Sequence, residues 1–145
     1  MKKMFFLIML MAFAFSLGAC TSEKPLSFDQ IPQNAQNVIT KYFSKEDILL
    51  IKLDKEGLMT EYEVKLKDGT ELSFDRKGNL TKIDCQLQKV PDGLVPENVL
   101  AYVNSNHPDT FITEWSKDDL RWKAELNNSL KLVFNNGGKF IRYDD

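Results

Sequence analysis

The chain has 145 residues, of which 43% are hydrophobic, 11% aromatic and 28% charged, the proportions of an ordinary globular protein. They exclude a disordered, collagen-like or disulfide-dense chain, and the length allows one domain. With 19 basic against 21 acidic residues the balance is slightly acidic, which leaves no electrostatic footprint for nucleic acid and no polybasic patch for anionic lipid.

The first nineteen residues stand apart from any core. Lys2 and Lys3 give a positive start, Met4 to Phe15 is an almost unbroken apolar run, and Ser16-Leu17-Gly18-Ala19 leads into Cys20. This is the build of an export signal, with an apolar run shorter than the ~20 residues a spanning helix needs. Leu17-Gly18-Ala19-Cys20 also resembles the bacterial lipobox, in which the cysteine is acylated and becomes the first mature residue. Ordinary cleavage after Ala19 would ask for a small residue at position 17, where Leu17 stands. Residues 1–19 are therefore expected to be a lipoprotein signal peptide, with Cys20 the lipidation site. Their removal takes away two lysines and leaves 17 basic against 21 acidic residues, a net −4. Acyl chains rather than charge would then hold the protein to a membrane, each buried CH2 contributing ~0.8 kcal/mol. If Cys20 is acylated, Cys85 has no partner and is expected to be a small buried apolar side chain. Without acylation a Cys20–Cys85 disulfide becomes open in an oxidising envelope.

Residues 20–28 have no period and little to bury, so they read as a tether. Pro32 then suits a helix start, and Ala35, Val38, Ile39, Tyr42 and Phe43 follow at the spacing of one apolar helix face. Ile48 to Ile51, four consecutive aliphatic residues, predicts a buried strand; Asp54 to Gly57 is its expected turn. Tyr62, Val64 and Leu66 alternate with charged residues, Asp68-Gly69 marks a hairpin turn, and Leu72 and Phe74 return on the apolar side. A second turn at Asp75 to Asn79 leads to a strand over Leu80 to Ile83. Gln86 to Val95 is a joint, marked by Pro91-Asp92-Gly93.

The pattern is then written again. Pro96 opens a helix with Val99, Tyr102, Val103 and Asn106 at helical spacing, and His107-Pro108 stops it. Thr110 to Trp115 predicts the next strand, and Ser116 to Asp119 its turn. Trp122 to Leu126, Leu130 to Phe134 and Phe140 to Tyr143 complete the copy. Leu66/Leu126, Leu72/Leu132, Phe74/Phe134, Gly78/Gly138 and Asp84/Asp144 are identical pairs, each 60 residues apart. Residues 29–145 thus read as one domain made of two repeats, 29–85 and 90–145. An apolar strand face needs a cover, and each repeat supplies one helix. The expected fold is α+β: two tandem helix-plus-four-strand repeats forming one antiparallel sheet, with both helices on one face.

A helix opened by Pro, the Tyr62-x-Val64-x-Leu66 strand, the Asp68-Gly69 turn and Phe74-Asp75-x-x-Gly78-x-Leu80, in two copies, resemble the PepSY-like, or β-lactamase-inhibitor-like, family. The resemblance covers residues 30–145. It implies a secreted or lipid-anchored protein of Gram-negative bacteria, and the expected location is periplasm-facing or on the surface, at the outer membrane. It implies as well a binding activity, such as inhibition of a peptidase or another envelope enzyme, which it places on no residue. Copy two departs from the pattern, with Asn128-Ser129 in place of Asp-Gly and Asn135 in place of Asp75. Asn tolerates the same turn geometry, so the fold should survive the change.

Few residues suggest chemistry. His107, the one histidine, sits at a helix end, where capping or exposure is expected, and no Cys/His metal spacing or phosphate loop is present. The acids of the turns lack calcium-loop spacing and are expected to bond their own backbone. The sequence therefore predicts no catalytic residue, no cofactor and no metal. The non-core sheet face would show Glu61, Glu63, Lys65, Lys67, Glu71 and Ser73 in copy one, with Arg121, Lys123, Glu125, Lys131 and Val133 in copy two. Interleaved charge suits cross-strand pairs on a solvated face and also suits a polar protein-binding surface. The candidate binding residues are Glu61, Glu63, Lys65, Arg121, Lys123 and Glu125. Trp115 would join them as an aromatic anchor if exposed, although its pattern favours burial. The expected function is a non-enzymatic, lipid-anchored envelope protein that binds another, unidentified envelope protein. The alternative is a binding module for a small molecule or glycan, which would need a concave aromatic pocket.

Overall fold

Each half of the chain opens with a helix that follows a proline. In the computed structural model, which describes residues 24–145, α1 runs Gln33–Tyr42 and α2 Glu97–Asn106, after Pro32 and Pro96. The expected signal peptide and Cys20 lie outside the described residues. Eight strands follow in two sets: β1 Ile48–Glu56, β2 Met59–Leu66, β3 Glu71–Phe74 and β4 Leu80–Asp84, then β5 Ile112–Asp118, β6 Arg121–Leu126, β7 Lys131–Asn135 and β8 Phe140–Asp144. They form one sheet in sequence order, every neighbouring pair antiparallel. This is the α+β architecture that the repeat implies.

The two copies are one body because β4 pairs with β5. Ile83 lies opposite Trp115, and beyond the strand ends the Cys85 and Val90 amides donate to the carbonyls of Thr113 and Ile112. A single apolar cluster joins Ala35 and Ile39 of α1, Val99 and Val103 of α2 and the inward residues of β1 to β7. Phe74 and Phe134, both 0% exposed, occupy matching places. Each lies opposite an aromatic residue, Tyr62 or Trp122, and each follows a bulge toward the last strand of its unit. The duplication is thus structural as well as written.

The helices are pinned to the sheet at two equivalent turns. Gly78 and Gly138 have φ of +83° and +76° and lie under the helix N-termini. There Asn34 Nδ2 donates to the Lys77 carbonyl at 3.2 Å, and Asn98 Nδ2 to the Gly137 carbonyl at 2.7 Å. Asp75 Oδ1 accepts from the Lys77 and Asn79 amides, and Asn135 Oδ1 accepts from those of Gly137 and Lys139. The turn needs a side-chain oxygen and no charge, so Asn replaces Asp in copy two.

Three expectations need correction. Of the aliphatic run Ile48 to Ile51 only Ile51 is buried; Leu49 and Leu50 are exposed. The strand lies at the sheet edge and carries a bulge between Ile48 and Leu50, so its outward side chains have no cover. The turns expected at Asp54 to Gly57 and Ser116 to Asp119 are shorter: β1 continues to Glu56 and β5 to Asp118, and the chain reverses at Gly57-Leu58 and Asp119-Leu120. A charged run that extends past the core is solvated on both sides, and polarity alone does not separate it from a loop. Residues 25 and 26 are not loose either. Pro25 bridges Lys52, and the Leu26 amide donates to the Ile51 carbonyl at 2.9 Å, so the end of the tether extends the sheet beyond β1.

The copies also differ in register. Pro32/Pro96 and Ile51/Trp115 are 64 residues apart, whereas Val64/Ala124 and Phe74/Phe134 are 60 apart. The difference of four lies in the first hairpin, where β1 and β2 are each two residues longer than β5 and β6. Its tip therefore projects further from the sheet.

Candidate functional site

Strand alternation sends one set of side chains into the core and the other to the open face. Glu61, Glu63 and Lys65 of β2 and Arg121, Lys123 and Glu125 of β6 fall on the open face, as expected, because Val64, Leu66, Ala124 and Leu126 are buried on the other. The face continues through Leu50 and Lys52 of β1, Glu71 and Ser73 of β3 and Lys82 of β4. Across the centre it takes in Glu114, Ser116 and Asp118 of β5, Lys131 of β7 and Asp144 of β8.

Its charges are tied across the strands. Lys52 meets Glu63 at 3.0 Å, Lys65 meets Glu71 at 2.9 Å, and Lys131 meets Glu125 at 3.7 Å. Lys82 and Glu114, 3.6 Å apart, join the two copies. Lys123 bridges Asp118 at 2.9 Å and Asp144 at 3.2 Å, and Arg142 also holds Asp144 at 2.8 Å. Hydrogen bonds from Lys123 and then Arg142 hold the Asp144 carboxyl below the usual aspartate range. The same carboxylates, Asp118 first, raise the Lys123 ammonium.

At four equivalent positions, on β2 and β3 against β6 and β7, the two halves carry opposite signs. Glu61 is replaced by Arg121, Glu63 by Lys123, Lys65 by Glu125 and Glu71 by Lys131, each 60 residues on. The Lys65–Glu71 pair of copy one is thereby inverted as Glu125–Lys131 in copy two. Pairing survives while polarity reverses, so a partner meets two differently charged halves built on one backbone plan.

Two open troughs follow this face. One, of about 510 Å³, is lined by β1 to β4; the other, of about 350 Å³, by β4 to β8, and Lys82 borders both. Neither is lined by an aromatic side chain, so neither offers a stacking platform for a sugar ring.

Trp115 is removed from the candidates. It is 2% exposed on the core side of β5 and stacks on Trp122 with ring centres 4.9 Å apart. Its place opposite Ile83 and Ala124, both buried, sets its side of the sheet. Val133 departs from expectation too, being 0% exposed although it lies on the outer side of β7. It sits between Lys123 and Arg142 on the neighbouring strands, whose charged ends are drawn together by Asp144. Sequence reasoning missed Lys52, Lys82, Glu114 and Asp144. The 60-residue offset pairing Lys82 with Arg142 and Asp84 with Asp144 marked two of them.

The remaining groups suit structural work. His107 caps α2 and lies 3.4 Å from the Tyr143 hydroxyl, with Tyr102 alongside. Cys85 is buried, its thiol pushed up to about 11 by burial, so it is a poor nucleophile. Among the described residues no group of three His, Cys, Asp or Glu side chains is placed to hold a metal, and no helix is long and apolar enough to cross a membrane.

Solved structures with the same plan come from Bacteroides. A "putative calcium-regulated periplasmic protein" from Bacteroides thetaiotaomicron is 32% identical over 85% of this chain and 97% of its own, with a TM-score of 0.80. A "putative periplasmic protein" from Bacteroides vulgatus is 29% identical over 88% of this chain and 100% of its own, with a TM-score of 0.81. Another from the same species, described as of unknown function, is 30% identical over 82% of this chain and 95% of its own, with a TM-score of 0.77. No curated protein matches the chain. The family model described as "Putative beta-lactamase-inhibitor-like, PepSY-like" matches twice, over residues 20–82 and 60–142. With two matches that together span most of the sequence, on a sheet built of two like halves, this chain belongs to the PepSY-like family.

Proposed function

We propose that this protein is a non-enzymatic envelope lipoprotein, anchored through Cys20, whose outer sheet face binds another envelope protein and so inhibits or senses an enzyme such as a peptidase. The observation that carries the reading is the segregation of charge. The outer face bears charged side chains on every strand, while each helix exposes a single charge, Lys41 on α1 and Glu97 on α2, beside amides such as Gln33, Asn34, Asn37, Asn98, Asn104 and Asn106. A face kept only for solubility needs no such segregation. Ordered, paired charges of fixed sign give a partner orientation and specificity. The periplasmic neighbours support an exported address, facing the periplasm or the cell surface, and the outer membrane is the proposed site of anchoring. Calcium does not enter the proposal. The small-molecule or glycan reading has trough volume in its favour, but no aromatic lining supports it.

Site-specific photo-crosslinking in cells tests the proposal. A crosslinker at Glu63 or Lys123 should yield one shared protein adduct, and the same group at Asn37 or Asn104 on the helices should yield none. Lys123→Glu should weaken the adduct from Glu63. Equal crosslinking from the helix side, or none from the sheet, would remove the binding face.

A further inference from the structure

The register of residues 25 and 26 on β1 limits where an N-terminal anchor can lie. Pro25 pairs antiparallel with Lys52, and Leu26 with Ile51. Traced back toward the N-terminus, the chain therefore leaves Lys24 heading along β1 toward the tip of the first hairpin. Position 20 is five residues from Pro25, and Gly57 is five residues from Lys52. Five residues span at most about 18 Å, so an acylated position 20 has the level of that tip within its reach and cannot lie far beyond it.

The tip itself is apolar. Leu58, at the reversal, is fully exposed, and Met59 beside it is 71% exposed. These two residues lie on the hairpin that is two residues longer per arm than its counterpart in copy two. The counterpart also ends in an exposed leucine, Leu120, on a shorter arm at the same end of the sheet. Leu87, another exposed leucine, follows β4 at the opposite end.

We infer that Leu58 and Met59 form a membrane-contact point that rests in the same bilayer as the acyl chains on Cys20. This rests on the proposed lipid anchor and adds an orientation to it. An exposed apolar pair costs free energy in water and is stabilised at the acyl boundary, and the anchor holds the bilayer within its reach. The strands then stand steeply on the membrane, tip down, with the charged outer face open to the aqueous space beside them. Leu120, on the shorter hairpin, approaches the headgroups without reaching the same depth.

The test uses the full acylated chain in phosphatidylethanolamine/phosphatidylglycerol vesicles. Leu58→Cys, Leu120→Cys and Leu87→Cys are each labelled with an environment-sensitive fluorophore, and spin-labelled lipids serve as quenchers. The unsubstituted chain should take no label, because Cys20 is blocked by lipid and Cys85 is buried. The label at position 58 should shift to the blue only with vesicles and be quenched several times more than the label at 87, with 120 between them. A label at 58 that behaves like the one at 87 on vesicle-bound protein overturns the inference and leaves the anchor intact. A blue shift at 58 without vesicles assigns the tip to contact between copies and overturns it as well. Labelling of Cys20, with the chain free of vesicles, would instead bring down the anchor and the inference together.

Discussion

Gly78→Ala tests the contact that holds a helix on the sheet. The residue has φ of +83°, and a Cβ there would meet Pro32 Cβ at 2.8 Å and the Ala35 backbone nitrogen at 2.9 Å. An L side chain at positive φ costs roughly 1–2 kcal/mol, and forcing the helix N-terminus away adds about 1–3 kcal/mol of overpacking. The smaller entropy of the unfolded alanine chain deepens the gain side by only about 0.4–1 kcal/mol. The net loss is on the order of 3 kcal/mol, or about 10 °C in Tm for a domain of this size. Gly57→Ala is the control: φ is +59°, but nothing lies within 4 Å, so only the backbone term of roughly 1 kcal/mol remains. Gly138→Ala falls between them. There the obstacle is the Asn98 amide at 2.5 Å, which can swing aside at the loss of its bond to the Gly137 carbonyl, a further ~1 kcal/mol. Urea and thermal unfolding followed by circular dichroism give the order directly. If Gly78→Ala costs no more than Gly57→Ala, the helix does not rest on that turn and the packing account is wrong.

Phe74→Ala and Phe134→Ala should each cost about 3–5 kcal/mol in the same unfolding assay; a large loss at one and almost none at the other would contradict their equivalence. Stability should fall in acid as pH drops below about 4. Folded Asp144 and Asp75 both titrate below their ordinary value of 3.8, so the stability they add is complete above that value and lost as pH falls through the depressed ones. For Asp75, burial pushes upward, but the hydrogen bonds from Asn79 and Lys77 outweigh it. Asp75→Asn, which copies Asn135, should fold and show a shallower acid loss, and a urea series across pH measures both. Cys85 should resist thiol reagents at pH 8 in the native protein and react on denaturation; rapid stoichiometric labelling of the folded chain would show that it is not buried.

The candidate face was legible wherever strict alternation ran between two turns. Glu61, Glu63 and Lys65, and Arg121, Lys123 and Glu125, sit in central strands whose inward partners are plainly apolar, so period and side agreed. Lys52 was hidden because Ile48 to Ile51 reads as one buried run, and only the edge position with its bulge turns Leu50 and Lys52 outward. Trp115 carries an apolar signal that fits either an anchor or a core residue. Its pairing with Ile83 across the join between the copies, a contact distant in sequence, decides for the core.

Local pattern was enough for the helices after their prolines, the hairpins and the duplication, because each depends on residues a few positions apart or on a repeated string. Tertiary structure alone decided the join of β4 to β5, the reach of the first hairpin, the burial of Val133 under its charged neighbours and the side on which the tether runs. Those outcomes are set by strand register and by which surfaces remain uncovered once both halves are assembled, and no single segment carries that information.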